Sequence, residues 1–363
     1  MKGEKDVNHS SEVFSVIDCD VHNQFRSNKD LVPYLEEPWK GFVQKFGMPG
    51  GGLPYASPIG NKRKDADPPS GLPVGSDPGY VVEHLVEPFH MEYALLCSDA
   101  VIGVSGFADP DYAAAVCRAY NDYMIAEWLS VSPKFKGYLC IGTQDPEQAA
   151  REIDRVGPHP DIVGVVVIGG ARAPYGQRFY HPIYEACSRQ GLPFVIHPGA
   201  EGAGIFNPPT AAGYVTNYLQ WHTCLPQTYM AHLVSFVCEG VFEKFPELKV
   251  VFCEGGVNWL PPLLWRMDKN FKALRVSAPW LKRMPSEYVR DHCFMTTQPI
   301  EEPDDPKHLL AMFEMFDAEN MLLFSSDYPH WDFDDPTKIL QRLSPEMKRK
   351  IYCDNAKKLF KLA

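Results

Sequence analysis

No stretch of this 363-residue chain approaches the roughly 20 consecutive apolar residues of a membrane span, and the first eleven residues, MKGEKDVNHSS, lack the apolar core of a secretory leader. Residues 1–11 are expected to be a disordered tail, and the protein to be cytoplasmic with no membrane partner. There is no Lys/Arg-rich block, and acidic residues outnumber basic ones 46 to 35, a formal charge of −11. Such a chain is poorly suited to track a phosphate backbone, which argues against nucleic acid as a partner. Ten cysteines are present but no C-x-x-C pair. Cys19, Cys140, Cys253 and Cys293 fall inside predicted strands, so reduced, mostly buried thiols are expected rather than a disulfide framework.

What is present is a regular alternation. Apolar runs of strand length recur at 15–20, 92–97, 136–142, 162–168, 193–197, 248–253, 292–297 and 321–326. Between them lie stretches with apolar residues at helical spacing: 111–131, 146–156, 182–190, 233–245 and 260–274. Eight βα units predict an α/β fold, a (β/α)8 TIM barrel over 12–363 as one domain. Two Gly/Pro-rich segments interrupt the rhythm. The larger, 31–77, contains MPGGGLPY and DADPPSGLP and is expected to be an irregular insertion over the barrel mouth. The second is 198–218.

Four residues end predicted strands where a barrel displays its chemistry. Asp20 and His22 in VIDCDVH are two apart and share a side of their strand, so a carboxylate oxygen and an imidazole nitrogen can converge on one ion. His197 ends the fifth strand in FVIHPG, and Asp327 ends the eighth in FSSDYPHWD. A buried carboxylate there requires a cation, donors or a proton to offset its desolvation. Asp20, His22, His197 and Asp327 are therefore the candidate metal ligands.

With these motifs in place, the chain resembles the amidohydrolase superfamily, in the branch that includes aminocarboxymuconate-semialdehyde decarboxylase and the resorcylate-type decarboxylases. The resemblance covers nearly all of the chain after its polar start. Its most specific carriers are GVFEKFPELKVVFCEGG and SSDYPHWD. It implies one divalent metal ion, Zn2+ or Mn2+, a small-molecule substrate and a homodimer. The first-strand D-x-H stands where that branch has H-x-H or E-x-H. The fourth strand, IVGVVVIGG, lacks the lysine that bridges two ions in binuclear members, which implies a single ion.

A departure bears on mechanism. The branch has His-Gly-Gly after its sixth strand, whereas this chain has Glu254-Gly255-Gly256, which puts Glu254 in the acid/base position or makes it an anchor for a loop or a neighbouring histidine. His222 in YLQWHTC either reaches inward to transfer protons or packs beside Trp221. His330 and Trp331 are expected to border the pocket, and His330 alternatively to bond the loop backbone. Arg172 is either an anchor for a substrate carboxylate or part of a surface salt bridge. The cluster Lys62-Arg63-Lys64 reads as a solvated loop face, and Trp259 and Trp265 as packing or subunit contact. The leading expectation is hydrolysis of an amide, lactone or related bond in a small organic substrate, with Asp327, Glu254 and His222 catalytic. The alternative is non-oxidative decarboxylation of an aromatic or unsaturated carboxylic acid. A non-catalytic barrel serving as a scaffold is the third, and the two carboxylates at its mouth speak against it.

Overall fold

A computed structural model describes residues 15–27, 29–48, 55–204 and 207–363. The expected N-terminal tail, 1–11, lies outside the described residues. Eight parallel strands pair in sequence order: β1 (Val16–Asn23), β2 (Met91–Ser98), β3 (Phe135–Cys140), β4 (Ile162–Ile168), β5 (Phe194–His197), β6 (Val250–Phe252), β7 (Cys293–Thr296) and β8 (Leu322–Leu323). Each covers or falls inside a predicted strand to within a few residues. Their runs are apolar because a parallel sheet wrapped by helices is buried on both faces, as β4 shows with all seven residues buried.

The seam between β8 and β1 nearly closes the sheet into a barrel. The Cys19 N–H donates to Phe324 O at 3.0 Å, the Asp327 N–H to Asp20 O at 3.1 Å and the His22 N–H to Tyr328 O at 2.7 Å. The seam thereby brings the ends of the first and last strands side by side. That contact places two of the candidate ligands next to a third.

The main helices are α1 (Trp39–Phe46), α2 (Pro110–Met124), α3 (Pro146–Val156), α4 (His181–Gln190), α5 (Tyr218–Cys224), α6 (Pro226–Cys238), α7 (Leu260–Leu274), α8 (Pro285–His292) and α9 (Pro306–Glu314). An Asp-Pro pair starts α2, α3 and α9. Asp109, Asp145 and Asp305 each accept from backbone N–H groups of the first turn, while proline at the first position has no N–H to strand. No helix among the described residues is long and apolar enough to cross a membrane.

Two expectations need correction. The insertion 31–77 is not wholly irregular, because WKGFVQKF forms α1 with Val43 buried; its Gly/Pro runs lie outside those eight residues. The helix expected over 233–245 is broken. α6 ends at Cys238, Gly240 takes a left-handed backbone (φ 73°), and a short turn of helix, Val241–Lys244, follows. Glycine allows that break with little strain. The cysteines are all free, with eight buried, Cys224 half-buried and Cys238 exposed.

A buried histidine joins the loop after β4 to α6. The Tyr175 N–H donates to His232 Nδ1 at 3.1 Å, and His232 Nε2 faces Gly169 O at 2.7 Å, which assigns the proton to Nε2. Burial pushes this imidazole down to about 4. Its neutral form is favoured in the folded protein, so the stabilisation is complete above the unfolded value of 6.5 and is lost as pH falls toward 4. Over that window the native chain should lose about 3 kcal/mol more stability than His232→Gln. Urea melts of both proteins at several pH values will show it; parallel pH profiles would refute the assignment.

Candidate metal centre

The ends of β1, β5, β6 and β8 meet at the C-terminal mouth. Asp20 and His22 project from β1, His197 ends β5, Glu254 lies two residues beyond β6, and Asp327 lies four beyond β8. All five are buried, and ligand atoms from them lie within 4.8 Å of one another. His22 Nε2 stands 2.9 Å from Asp327 Oδ1 and 3.4 Å from Asp20 Oδ1. His197 Nε2 stands 3.0 Å from Glu254 Oε2 and 3.4 Å from Asp20 Oδ2.

Two of these side chains leave strained backbone. Glu254 and Asp327 have φ of 55° and 61°, a left-handed conformation that costs a non-glycine residue on the order of 1–2 kcal/mol. Local hydrogen bonds hold it: the Glu254 N–H donates to Thr296 Oγ1 at 2.9 Å, and the Asp327 N–H to Asp20 O at 3.1 Å. After Glu254 the chain must be glycine, because a Cβ at Gly255 would fall 2.1 Å from the Tyr229 ring. The Tyr229 hydroxyl in turn donates to Cys253 O at 2.5 Å.

The outer nitrogens of the histidines face oxygens outside the five-residue cluster. His197 Nδ1 faces Pro198 O at 2.7 Å, which makes Nδ1 the protonated nitrogen and leaves Nε2 as a lone-pair donor toward the cluster. His22 Nδ1 lies 2.8 Å from Asp99 Oδ1. Such carboxylate and carbonyl partners orient imidazoles that bind metal. Asp20 Oδ1, His22 Nε2 and His197 Nε2 are buried and make no hydrogen bond of acceptable geometry. Buried polar atoms left in this way, drawn from a mixed nitrogen and oxygen set, fit one divalent cation.

The charges interlock. Burial opposes the charge on His22, but the Asp99, Asp20 and Asp327 carboxylates together outweigh it and push the imidazole up to about 9. Burial opposes the charge on His197 as well, and Asp20 and Glu254 raise it well above its ordinary value. Burial would raise Asp20 and Glu254, yet the histidines beside them hold both below the usual carboxylate range. Asp327 goes the other way, pushed well up by burial and by the Glu254 charge. A divalent cation would take over the compensation that protons provide here, so ion binding would release protons.

Around the cluster opens a cleft of about 810 Å3 with His197, Glu254 and Asp327 in its floor and Tyr55, Lys62, Asp99, Tyr218, Trp221 and His330 among its walls. His222, on α5, turns Nε2 toward Glu254 Oε1 (3.6 Å) and Asp332 Oδ2 (3.4 Å). His330 bridges side chains, with Nδ1 2.5 Å from Asp327 Oδ1 and Nε2 3.1 Å from Asp99 Oδ2. Trp331 is 44% exposed and donates from Nε1 to the Tyr218 hydroxyl at 3.3 Å. Arg172 is exposed and is not among the cleft residues. Lys62 is not on a solvated face: the insertion carries it to the cleft, where it pairs with Asp99. Asp99, which joins His22, His330 and Lys62, escaped the sequence reading. Its position directly after the second strand was the available signal.

Fold and site together define a barrel enzyme whose buried polar centre is suited to hold one divalent ion. The chain belongs to the amidohydrolase family, which it matches over residues 17–362. It is similar to the gamma-resorcylate decarboxylase of Polaromonas sp., 26% identical over 273 residues that cover 71% of this chain and 80% of that protein. It is also similar to the gamma-resorcylate decarboxylase of Rhodococcus jostii, 24% identical over 295 residues that cover 77% and 86%. Among solved structures, 5-carboxyvanillate decarboxylase from Novosphingobium aromaticivorans, in complex with manganese and 4-hydroxy-3-methoxy-5-nitrobenzoic acid, superimposes with a TM-score of 0.71 at 21% identity, covering 99% of this chain and 100% of that one. These relatives overturn the expectation of amide or lactone hydrolysis, because both curated relatives are decarboxylases.

Replacing Asp99 by Asn should weaken manganese binding about 10- to 100-fold, the usual cost of losing a partner behind a ligating histidine. Calorimetric titration of the stripped protein measures this; an unchanged affinity would show that Asp99 does not orient His22.

Proposed function

We propose that the protein is a metal-dependent decarboxylase acting on a small aromatic or unsaturated carboxylic acid. Asp20, His22, His197 and Asp327 hold the ion. When bound, the ion supplies a fixed positive charge that orients the substrate carboxylate and an adjacent oxygen. The observation that carries the reading is the position of Glu254: it belongs to the buried cluster, lines the cleft and is backed by His222. Decarboxylation requires a proton donor at that junction. Similarity to gamma-resorcylate decarboxylases over 71% and 77% of the chain supports the same reading.

The two oxygens of Glu254 have separate surroundings. Oε2 faces His197 within the cluster, and Oε1 faces His222. Burial opposes the charge on His222, but Asp332 and Glu254 together push it up to about 10, so the pair stores its proton on the imidazole. Glu254 passes that proton to the substrate carbon bearing the carboxylate, where a new C–H bond forms from a ring electron pair. The bond to the carboxylate carbon then breaks, its electrons return to the ring, and carbon dioxide leaves. A hydroxyl next to the carboxylate stabilises the protonated ring, which favours hydroxylated aromatic acids. Lys62 is the one lysine or arginine among the described residues lining the cleft, and it takes the anchoring role first considered for Arg172.

With manganese-loaded protein and 2,6-dihydroxybenzoate or 5-carboxyvanillate, carbon dioxide should be released, and in deuterated water the product should carry deuterium at the carbon that lost it. Glu254→Gln should lower kcat by at least about 100-fold, the range for removing a proton-transfer group, while metal content stays near one per chain. Retained kcat in that variant would sink the assignment. Lys62→Met should raise KM more than it lowers kcat, and a KM left unchanged would remove Lys62 from the anchoring role.

A further inference from the structure

Beside the cluster, and not among the residues lining the cleft, lies a thiol that the proposed reaction does not use. Cys97 is buried near the end of β2, and its backbone pairs in register with His22. Its Sγ lies within 4.8 Å of ligand atoms from Asp20, His22 and His197, and those four form a set of their own. Glu254 and Asp327 belong to the other set with the same three residues, without Cys97. The three shared residues therefore have two alternative completions, one of oxygen from residues that line the cleft and one of sulfur from a buried residue that does not.

A buried cysteine alone is ordinary barrel packing. The surroundings of this one are not. Its three neighbours in the set are the residues whose buried atoms Asp20 Oδ1, His22 Nε2 and His197 Nε2 lack a hydrogen bond, and among the described residues the Cys97 thiol makes no hydrogen bond either. Cys253, by contrast, is engaged, its Sγ facing Asp20 Oδ2 at 3.3 Å and accepting from Thr296 Oγ1 at 3.7 Å. Two imidazoles, one carboxylate and one thiolate make a four-donor set of the kind zinc takes in tetrahedral sites, and sulfur favours zinc, cobalt or cadmium over manganese.

We propose that Cys97 is a metal ligand for thiophilic ions, completing a site with Asp20, His22 and His197 that competes with the oxygen-rich site used by manganese. Binding there replaces the S–H bond by a sulfur–metal bond and releases one proton to solvent. The identity of the ion then decides which completion is occupied, and an ion held by Cys97 is drawn away from Glu254 and Asp327. This inference rests on the cluster being a metal site, and the experiment separates the two claims.

The full-length protein is stripped of metal and reloaded with Co2+ alone, and its absorption spectrum is recorded. A near-ultraviolet thiolate-to-cobalt charge-transfer band that is lost in Cys97→Ser and in Cys97→Ala but kept in Cys253→Ser supports the proposal. So does a fall in zinc affinity of more than about tenfold in the Cys97 variants, with manganese affinity changed by less than about twofold. Both Cys97 variants must bind manganese, which confirms that the barrel is intact. Visible bands of bound cobalt without the thiolate band, or a thiolate band that persists without Cys97, overturn the inference and leave the manganese site standing. Failure of the native protein to bind either ion overturns both.

Discussion

Keeping several ionisable groups out of water together at one end of a barrel is the constraint on which the rest of this structure depends. Asp20, His22 and Asp327 are wholly buried, and His197 and Glu254 nearly so. An isolated buried carboxylate would be driven to take a proton. Here carboxylates and imidazoles alternate at about 3 Å, so each charge stabilises the next, and Asp327 alone is pushed strongly toward its neutral form. The arrangement is tolerable without an ion and better satisfied with one, since a divalent cation replaces several protons at once.

The scaffold keeps these groups converging by means that lie mostly in the backbone. The β8–β1 seam ties Asp327 to Asp20 and His22 to Tyr328 through main-chain hydrogen bonds, so the distance between those ligands does not depend on side-chain packing. The left-handed turns at Glu254 and Asp327 re-aim side chains that a continuing strand would send elsewhere. Such strain persists where the surroundings over-determine it, and the Thr296 hydroxyl, the Asp20 carbonyl and the glycine-sized gap against Tyr229 are those surroundings.

Loops then build the cleft around this buried cluster. The insertion after β1 delivers Lys62 to Asp99, while the stretch after β5 delivers α5 and, on it, His222 to Glu254. Through Asp99, Lys62 and His330 are linked to the far nitrogen of His22. A change at the cleft wall is thus felt by the buried imidazole of His22. Beside the cluster Cys97 offers a softer donor, so Asp20, His22 and His197 have both oxygen and sulfur within reach.

The sequence by itself determined the barrel and where its candidate ligands fall along the chain. Apolar runs of strand length separated by helical patterns follow from burial on both faces of a parallel sheet, and a polar residue ending such a run has only the barrel mouth to occupy. That logic reached Asp20, His22, His197 and Asp327, whereas Glu254 was found through the family resemblance, standing where that branch has a histidine. It could not reach residues whose role comes from loop paths. Arg172 and Lys62 are both cations on connecting segments, and only the folded chain shows that one points to solvent and the other into the cleft. Asp99 and Cys97 are near neighbours in sequence at the end of one strand, yet Asp99 lies against the far nitrogen of His22 and lines the cleft, while the Cys97 thiol lies within reach of Asp20, His22 and His197. Strand register and the seam decide that, and both are set by pairing between segments far apart in the chain.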